Sequence, residues 1–397
     1  MSLFQRKGGG GGRSVAIFDI GSGSIGGAFV SLHHDKPPEI IFTARRNIPV
    51  QAEINFQRFL ESMGKTLESL AFTMQKAGGG VAVGEAYFIL ASPWYASQTR
   101  LVRYSQETPF TVTKKGIEKL IEKEILSFRN SKLFAHLKTD EAPPEIMESK
   151  NIQIKLNGYE VTKPYGHKAS ELEVAVYVSM IPANIRNLIK DSITRFWRPS
   201  TTHFSSFSLT AFDAIRSIFP DEPSFLFMDI AGEVTDISLA KDNILLESMS
   251  FPSGKNMLIR AVADGLKITP ALAASELDLY AQNAGTPEHM KRVGEIVKRT
   301  TDGWRVFFKD ALVRFAAEFP IPRIIFYTAD DNVSQWFEAT IKETKFARFA
   351  EVEEGFTVRA LGNTFLNTFV HTASPDFQDP FLSIEAIFAN KISSLTK

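Results

Sequence analysis

One short pattern occurs twice in this chain, and it constrains the fold more than anything else. Val15-Ala16-Ile17-Phe18-Asp19-Ile20 runs apolar into an aspartate and turns at Gly21-Ser22-Gly23-Ser24. It returns through Ile25-Gly26-Gly27-Ala28-Phe29-Val30-Ser31-Leu32 to the polar turn His33-His34-Asp35. The pattern recurs at Phe225-Leu226-Phe227-Met228-Asp229-Ile230, turns at Ala231-Gly232-Glu233 and returns through Val234-Thr235-Asp236-Ile237-Ser238-Leu239-Ala240. Each copy reads as strand, tight turn and returning strand. Asp229 follows Asp19 by 210 positions, a spacing that points to a duplicated domain and not to an array of short repeats.

At 397 residues the chain exceeds a single core and should carry about two to four domains. Its 45 basic and 45 acidic residues cancel, which argues against a general nucleic-acid footprint or a strongly basic membrane-binding face. With no cysteine, disulfides, thiolate metal sites and cysteine nucleophiles are excluded, and a reducing compartment fits. Met1 to Lys7 lacks the apolar core of a signal peptide, and no run reaches the roughly 18 apolar residues of a membrane-spanning helix. The expected location is the cytoplasm, extending to peripheral contact at the inner face of the cell membrane, with no transmembrane segment.

The glycine run Gly8 to Gly12 marks residues 1–13 as a flexible arm. Ile40 to Ala44 reads as a third strand, and Phe56 to Lys76 has helical apolar spacing ended by Gly78-Gly79-Gly80. Ala86 to Ala91 is a strand, Trp94 to Tyr104 a strand pair, and Thr113 caps a helix running to Phe128. Asn130 to Lys150 reads as a loop, and Asn157-Gly158 as the turn of a hairpin. Glu171 to Met180 alternates as a half-buried strand, followed by helices at Pro182 to Phe196 and Thr210 to Phe219. After the second hairpin come helices at Asn256 to Leu266, Ala271 to Asn283 and Glu288 to Phe319, a buried strand at Arg323 to Tyr327, and helices at Val333 to Lys342 and Val358 to Val370. Ile384, Ile387, Phe388, Ile392 and Leu395 form an apolar stripe in the C-terminal tail. Its few lysines do not make the basic face of a membrane-surface helix, so docking on the protein itself or on a partner is expected.

Gly21-Ser22-Gly23-Ser24-Ile25-Gly26 fits the letters of a dinucleotide fingerprint, but that motif needs a following helix, and a strand follows here. A phosphate-binding P-loop sequence is absent. Two facing hairpins offer another chemistry. Their turns can hold a phosphate chain with backbone N–H groups and hydroxyls, while an aspartate at each strand end holds the waters of a Mg²⁺ ion. The plainer alternative is a pair of hairpins whose aspartates only cap turns.

The order of elements around the two hairpins resembles the actin, heat-shock chaperone and sugar-kinase superfamily. Within it, residues 84–182 resemble the inserted strand–helix–strand–strand (SHS2-type) module of the FtsA/PilM-like bacterial proteins. That likeness rests on Ala91-Ser92-Pro93 before a strand and Thr111-Val112-Thr113 before a helix. It continues in Gly158-Tyr159-Glu160-Val161, then Tyr165-Gly166-His167 leading into Leu172-Glu173-Val174-Ala175-Val176. The resemblance covers roughly residues 14–372 and implies an α/β fold: a duplicated actin-like ATPase (ribonuclease H-like) core with that module and a helical insertion. It divides the chain into an arm (1–13), a first subdomain (14–83 and 183–224), the inserted module (84–182), a second subdomain (225–254 and 324–372), a helical subdomain (255–323) and a tail (373–397).

ATP and Mg²⁺ are the ligands this resemblance implies. Asp19, Gly21, Ser22, Gly23 and Ser24 match the first phosphate loop, and Asp229, Gly232, Thr235 and Asp236 the second. Asp19 and Asp229 would be the metal residues, and Glu276 and Thr328 would lie on the adenosine side. Three departures weaken the match. Glu233 stands where a glycine is usual, and would face the triphosphate. Leu279 replaces the lysine of the adenosine-side helix, and Thr328-Ala329-Asp330-Asp331 replaces a glycine-rich adenosine loop. Ser205 to Asp213 offers no convincing group to orient an attacking water, Asp213 being expected at the surface. The expectation is therefore a pseudo-ATPase with no assigned catalytic residue. It would act as an actin-like scaffold or adaptor that organises a membrane-associated cell-division or type IV pilus assembly through a membrane-anchored protein partner, and self-association is compatible with that role. An active ATP-dependent kinase or ATPase on the same core is the alternative.

Overall fold

The computed structural model describes residues 13–78, 84–129, 144–345 and 355–395. The flexible arm expected before Arg13 lies outside them. The chain opens with β1 (Arg13–Ile20), β2 (Ser24–Leu32), β3 (Glu39–Asn47), α1 (Phe56–Gly78) and β4 (Glu85–Leu90). β5 (Ala96–Thr111), α2 (Lys114–Arg129), β6 (Glu145–Leu156), β7 (Tyr159–Glu160) and β8 (Lys168–Ile181) follow. α3 (Ala183–Thr194), β9 (Thr201–Ser206) and α4 (Phe207–Ile218) lead back to the core. The second half runs β10 (Phe225–Ile230), β11 (Thr235–Lys241), β12 (Ile244–Phe251), α5 (Lys255–Leu266), α6 (Pro270–Ala281), α7 (Pro287–Glu318), β13 (Ile324–Ala329) and α8 (Asp331–Lys342). It ends with β14 (Thr357–Ala360), α9 (Asn363–Leu366), β15 (His371–Thr372) and α10 (Pro380–Leu395).

Three sheets result, in the orders β15-β3-β2-β1-β4-β9, β12-β11-β10-β13-β14 and β5-β8-β6-β7. Each Asp-tipped hairpin sits at the middle of its own sheet and repeats the same pairing. β1 is antiparallel to β2 and parallel to β4, as β10 is antiparallel to β11 and parallel to β13. Strands paired on both sides and covered on both faces must be apolar throughout, which is why these read as continuous hydrophobic runs. Alternate residues of β1 enter different cores. Ala16, Phe18 and Ile20 pack with α1 and α3, whereas Val15 and Ile17 face a central core that also takes Phe225 and Phe227 of β10. Leu226, Met228 and Ile230 turn to a third core built with α5, α7 and α8.

The central core is closed by α4 and α10. Leu382, Ile384, Ala386, Phe388 and Ala389 of α10 are buried in or against it. The apolar stripe of the tail thus docks on the protein's own body, and each large side chain so buried stabilises by about 1.5–3 kcal/mol. The third sheet is antiparallel throughout, with α2 packed on one face through Ile117 and Leu120.

Several expectations are corrected. In place of the strand pair expected at Trp94 to Tyr104, Ala96 to Tyr104 belongs to one long strand, β5, and Trp94 lies in the bend before it. Within the expected loop Asn130 to Lys150, residues 145–150 are the start of β6, drawn into the sheet by β8, while 130–143 lie outside the described residues. The expected helix at Val358 to Val370 is instead β14, the single turn of α9 and an approach to β15. Parallel pairing with β13 and β3 overrides its helical spacing.

Candidate functional site

The two hairpin turns meet face to face. Asp19 and Asp229 are the penultimate residues of β1 and β10, and the turns that follow touch through their glycines. A Cβ on Gly232 would stand 2.3 Å from the Cα of Gly23, so these two positions must be glycine for the backbones to approach. The Glu233 N–H donates to the Ser22 hydroxyl at 3.0 Å, bridging the turns. On the first turn, the Gly21 carbonyl accepts from Trp94 Nε1 at 2.9 Å, and Trp94 in turn stacks on Phe59. On the second, the carbonyls of Ala231 and Gly232 accept from the N–H groups of Lys255 and Asn256, at the start of α5. A helix N-terminus can hold an anion with such N–H groups; here two of them are engaged by the turn.

The gap left between the turns is about 20 Å³ and is lined by Asp19, Gly21, Gly23, Ser24, Asp229 and Gly232, together with Arg45, Asp330 and Phe381. It has room for about one water molecule.

Arg45 dominates this gap. Its guanidinium lies 2.7 Å from Asp19, donates through Nε and one terminal nitrogen to Asp379 at 2.7 and 2.9 Å, and gives its other terminal nitrogen to Ser24 Oγ at 2.9 Å. The ring of Phe381 lies 5.0 Å from it. Register explains the reach: Asp19 pairs with Gly26, and Gly26 pairs with Arg45, so all three lie in one cross-strand row. Asp379 also accepts from the Leu382 N–H at 3.1 Å, tying the start of α10 to the same cluster. Burial pushes the Asp19 carboxyl up to about 6, with Arg45 pulling against it. Asp229 is raised well above the usual carboxylate range by burial and then by the charge of Asp236, while a 2.9 Å hydrogen bond from Thr328 opposes the shift.

Of the residues matched to the phosphate loops, Asp19, Gly21, Ser22, Gly23, Ser24, Asp229 and Gly232 therefore come together, and Thr328 joins them through Asp229. Thr235 does not. Its hydroxyl donates to the Ser253 carbonyl and accepts from Trp304 Nε1, inside the core of the second half. Asp236 accepts from Ser250 Oγ at 2.5 Å and from the Ser92 N–H at 3.3 Å, and borders a separate cleft with Tyr95 and Arg314. Glu276 pairs with His289 at 2.7 Å, and it is Ala274, Leu277 and Asp278 of α6 that line a 340 Å³ pocket beside Gly23 and Asp330.

Two of the departures need a different physical account. Glu233 does not face the gap. Its carboxylate accepts from Asn256 at 2.8 Å and from both terminal nitrogens of Arg260, at 3.0 and 2.6 Å, so its charge is met by α5. Asp330 is likewise paired, with Lys255 at 2.7 Å. Asp213 is no surface residue either: it holds Lys150 of the inserted module at 2.7 Å and Lys391 of α10 at 3.5 Å.

No protein-family model matches the chain, and no curated protein does. Among solved structures, PilM in the PilM–PilN type IV pilus biogenesis complex superposes with a TM-score of 0.62 at 12% identity, over 96% of this chain and 98% of that one. The chain has the actin-like fold. Weaker likenesses reach the ethanolamine utilization protein EutJ from Carboxydothermus hydrogenoformans and MreB 5 of Spiroplasma citri bound to AMPPNP. Their TM-scores are 0.45 and 0.42 at 11% and 10% identity, over 95% and 96% of this chain and 89% and 98% of theirs. In this actin-like fold the two Asp-tipped hairpins are the central hairpins of the two halves. Sequence reasoning found them through their turns, but missed Arg45, Asp379 and Phe381. The Asp379-Pro380 step was a readable helix start; nothing local announced its contact with a residue 334 positions away.

Proposed function

We propose that this protein is a PilM-type scaffold that holds a protein partner at a membrane-associated pilus assembly and does not turn over nucleotide. The observation that carries this reading is the likeness to PilM along nearly the whole of both chains. The engagement of Asp19 and Ser24 by Arg45 supports it, because hydrolysis needs a metal and a positioned triphosphate. Partner capture has a candidate surface on the inserted module, a groove of about 670 Å³ between α2 and β5 lined by Tyr104, Phe110, Ile117, Leu120 and Leu126. Its apolar walls suit an extended or helical segment presenting aliphatic side chains. Among the described residues no helix is long and apolar enough to cross a membrane, so attachment there would run through the partner.

Affinity purification of the full chain from its own cells tests the reading. Recovery of pilus-assembly proteins, including a PilN-like membrane component, is expected. Recovery of division proteins instead would move the role to the FtsA side of the resemblance, and micromolar binding of ATP with Mg²⁺ by the purified chain would overturn the non-hydrolysing part.

A further inference from the structure

We propose that Arg45 is the resident counter-ion of the hairpin clamp, taking the place of a divalent metal as partner of Asp19, and that Asp379 at the start of α10 latches it there. The inference rests on reading the hairpins as a phosphate clamp and adds what closes it.

Four observations converge. Arg45 crosses β2 over Gly26, where a Cβ would lie 2.6 Å from its terminal nitrogen. Its donors are committed: two go to Asp379, one of these is shared with Asp19, and a third goes to Ser24. The Ser24 hydroxyl, which the resemblance gives to a phosphate, is thereby engaged. The cation is permanent, because a guanidinium does not lose its proton in a protein. A metal at Asp19 would have to displace a positive group gripped by two carboxylates or sit against it.

The fourth observation is Glu385, two turns into α10. It is fully buried, neither carboxylate oxygen has a hydrogen-bond partner, and beyond burial itself the charges of Asp19, Arg45, Asp379 and Asp229 act on it. Arg45 is thus the cation shared by Asp19 and Asp379, and its charge also acts on Glu385. Removing its charge leaves Asp19 and Asp379, both in contact with the guanidinium, without a cation, the condition under which a divalent ion becomes a more favourable occupant. The latch is structural as well as ionic. Asp379 caps α10 while holding Arg45, and Phe381 supports the guanidinium, so Arg45 is held at Asp19 while α10 is seated.

Mn²⁺ binding to the purified full chain, read by electron paramagnetic resonance of the free ion, decides the matter. Wild type should bind none at this site. Arg45→Met should gain one equivalent of bound ion that wild type lacks, and Asp19→Asn in that background should abolish it. Asp379→Asn leaves the cross-strand row intact and removes only the latch. It should give a smaller gain of the same kind and serves if Arg45→Met does not fold. Wild-type binding that Asp19→Asn removes overturns the proposal, and so does the absence of a gain in both folded variants. Partner capture is read separately, so either idea can fail alone.

Discussion

Asp19 and Arg45 stand two strands apart in one cross-strand row, and they meet at 2.7 Å because the residue between them, Gly26, has no side chain. An arginine directly beside Asp19 could not have spread its fork between β1 and the start of α10. Placed on β3, it reaches both. The same row makes Gly26 a packing residue whose backbone angles need no glycine, since it is not among the residues with positive φ.

Gly26→Ala should therefore destabilise by about 1–3 kcal/mol through overpacking against a pinned guanidinium. The cost should shrink when Arg45 is already Ala, because the obstacle is then gone. Urea denaturation of the two single variants and the double variant measures this coupling; strict additivity would show that Gly26 matters for some other reason.

Glu385 sets a pH dependence. Burial, and next the charge of Asp19, raise its folded pKa well above the ordinary 4.5. The folded state then binds a proton that the unfolded state has released, so stability is greatest below about 4.5 and falls as pH rises toward the folded value. Asp19, raised to about 6, acts in the same direction. Glu385→Gln should melt higher than wild type near neutral pH, with the difference narrowing as pH falls toward 4.5. A difference that stays constant across that window would rule the account out.

Glu233 looks from the sequence like a charge thrust at a phosphate, so Glu233→Gly invites a test as a restoring change. The structure predicts the opposite. Losing the carboxylate strands Arg260, which is about one-fifth exposed, and should cost about 2–4 kcal/mol by thermal or chemical denaturation without creating nucleotide binding.

Leu126 lies on the groove of the inserted module and is largely exposed. Leu126→Asp should leave folding stability within about 0.5 kcal/mol and reduce recovery of the partner in affinity purification. Unchanged recovery would place the partner on another face.

The hairpins, α1, the Asn157-Gly158 turn and α7 were legible because each is specified locally. They show apolar runs of one periodicity, a cap at Thr286 before Pro287, and a turn whose two residues sit at φ 48° and 84°. What escaped depends on distant partners. β14 and β15, with four and two residues, exist only as parallel edge pairings. The loop residues were readable, but their meaning was not. Glu233 and Asp330 appeared as lone charges because Arg260 and Lys255, which neutralise them, lie on a helix whose orientation no local pattern gives. The position of Arg45 required the register of β3, and the sequence at the β2–β3 turn does not fix it.

α10 has a consequence for how the protein is made. It is the last described element, yet it covers β1, β2 and β3, and the Asn390 side chain accepts from the His33 N–H across a separation of 357 residues. A chain emerging from the ribosome thus presents its first sheet with one face bare until α10 has been translated. Exposed apolar strands of that kind are what chaperones bind and what aggregates. Stalled or truncated products should be held by chaperones or degraded, and a stop codon before Asp379 should remove the protein from the cell more thoroughly than it removes any single contact.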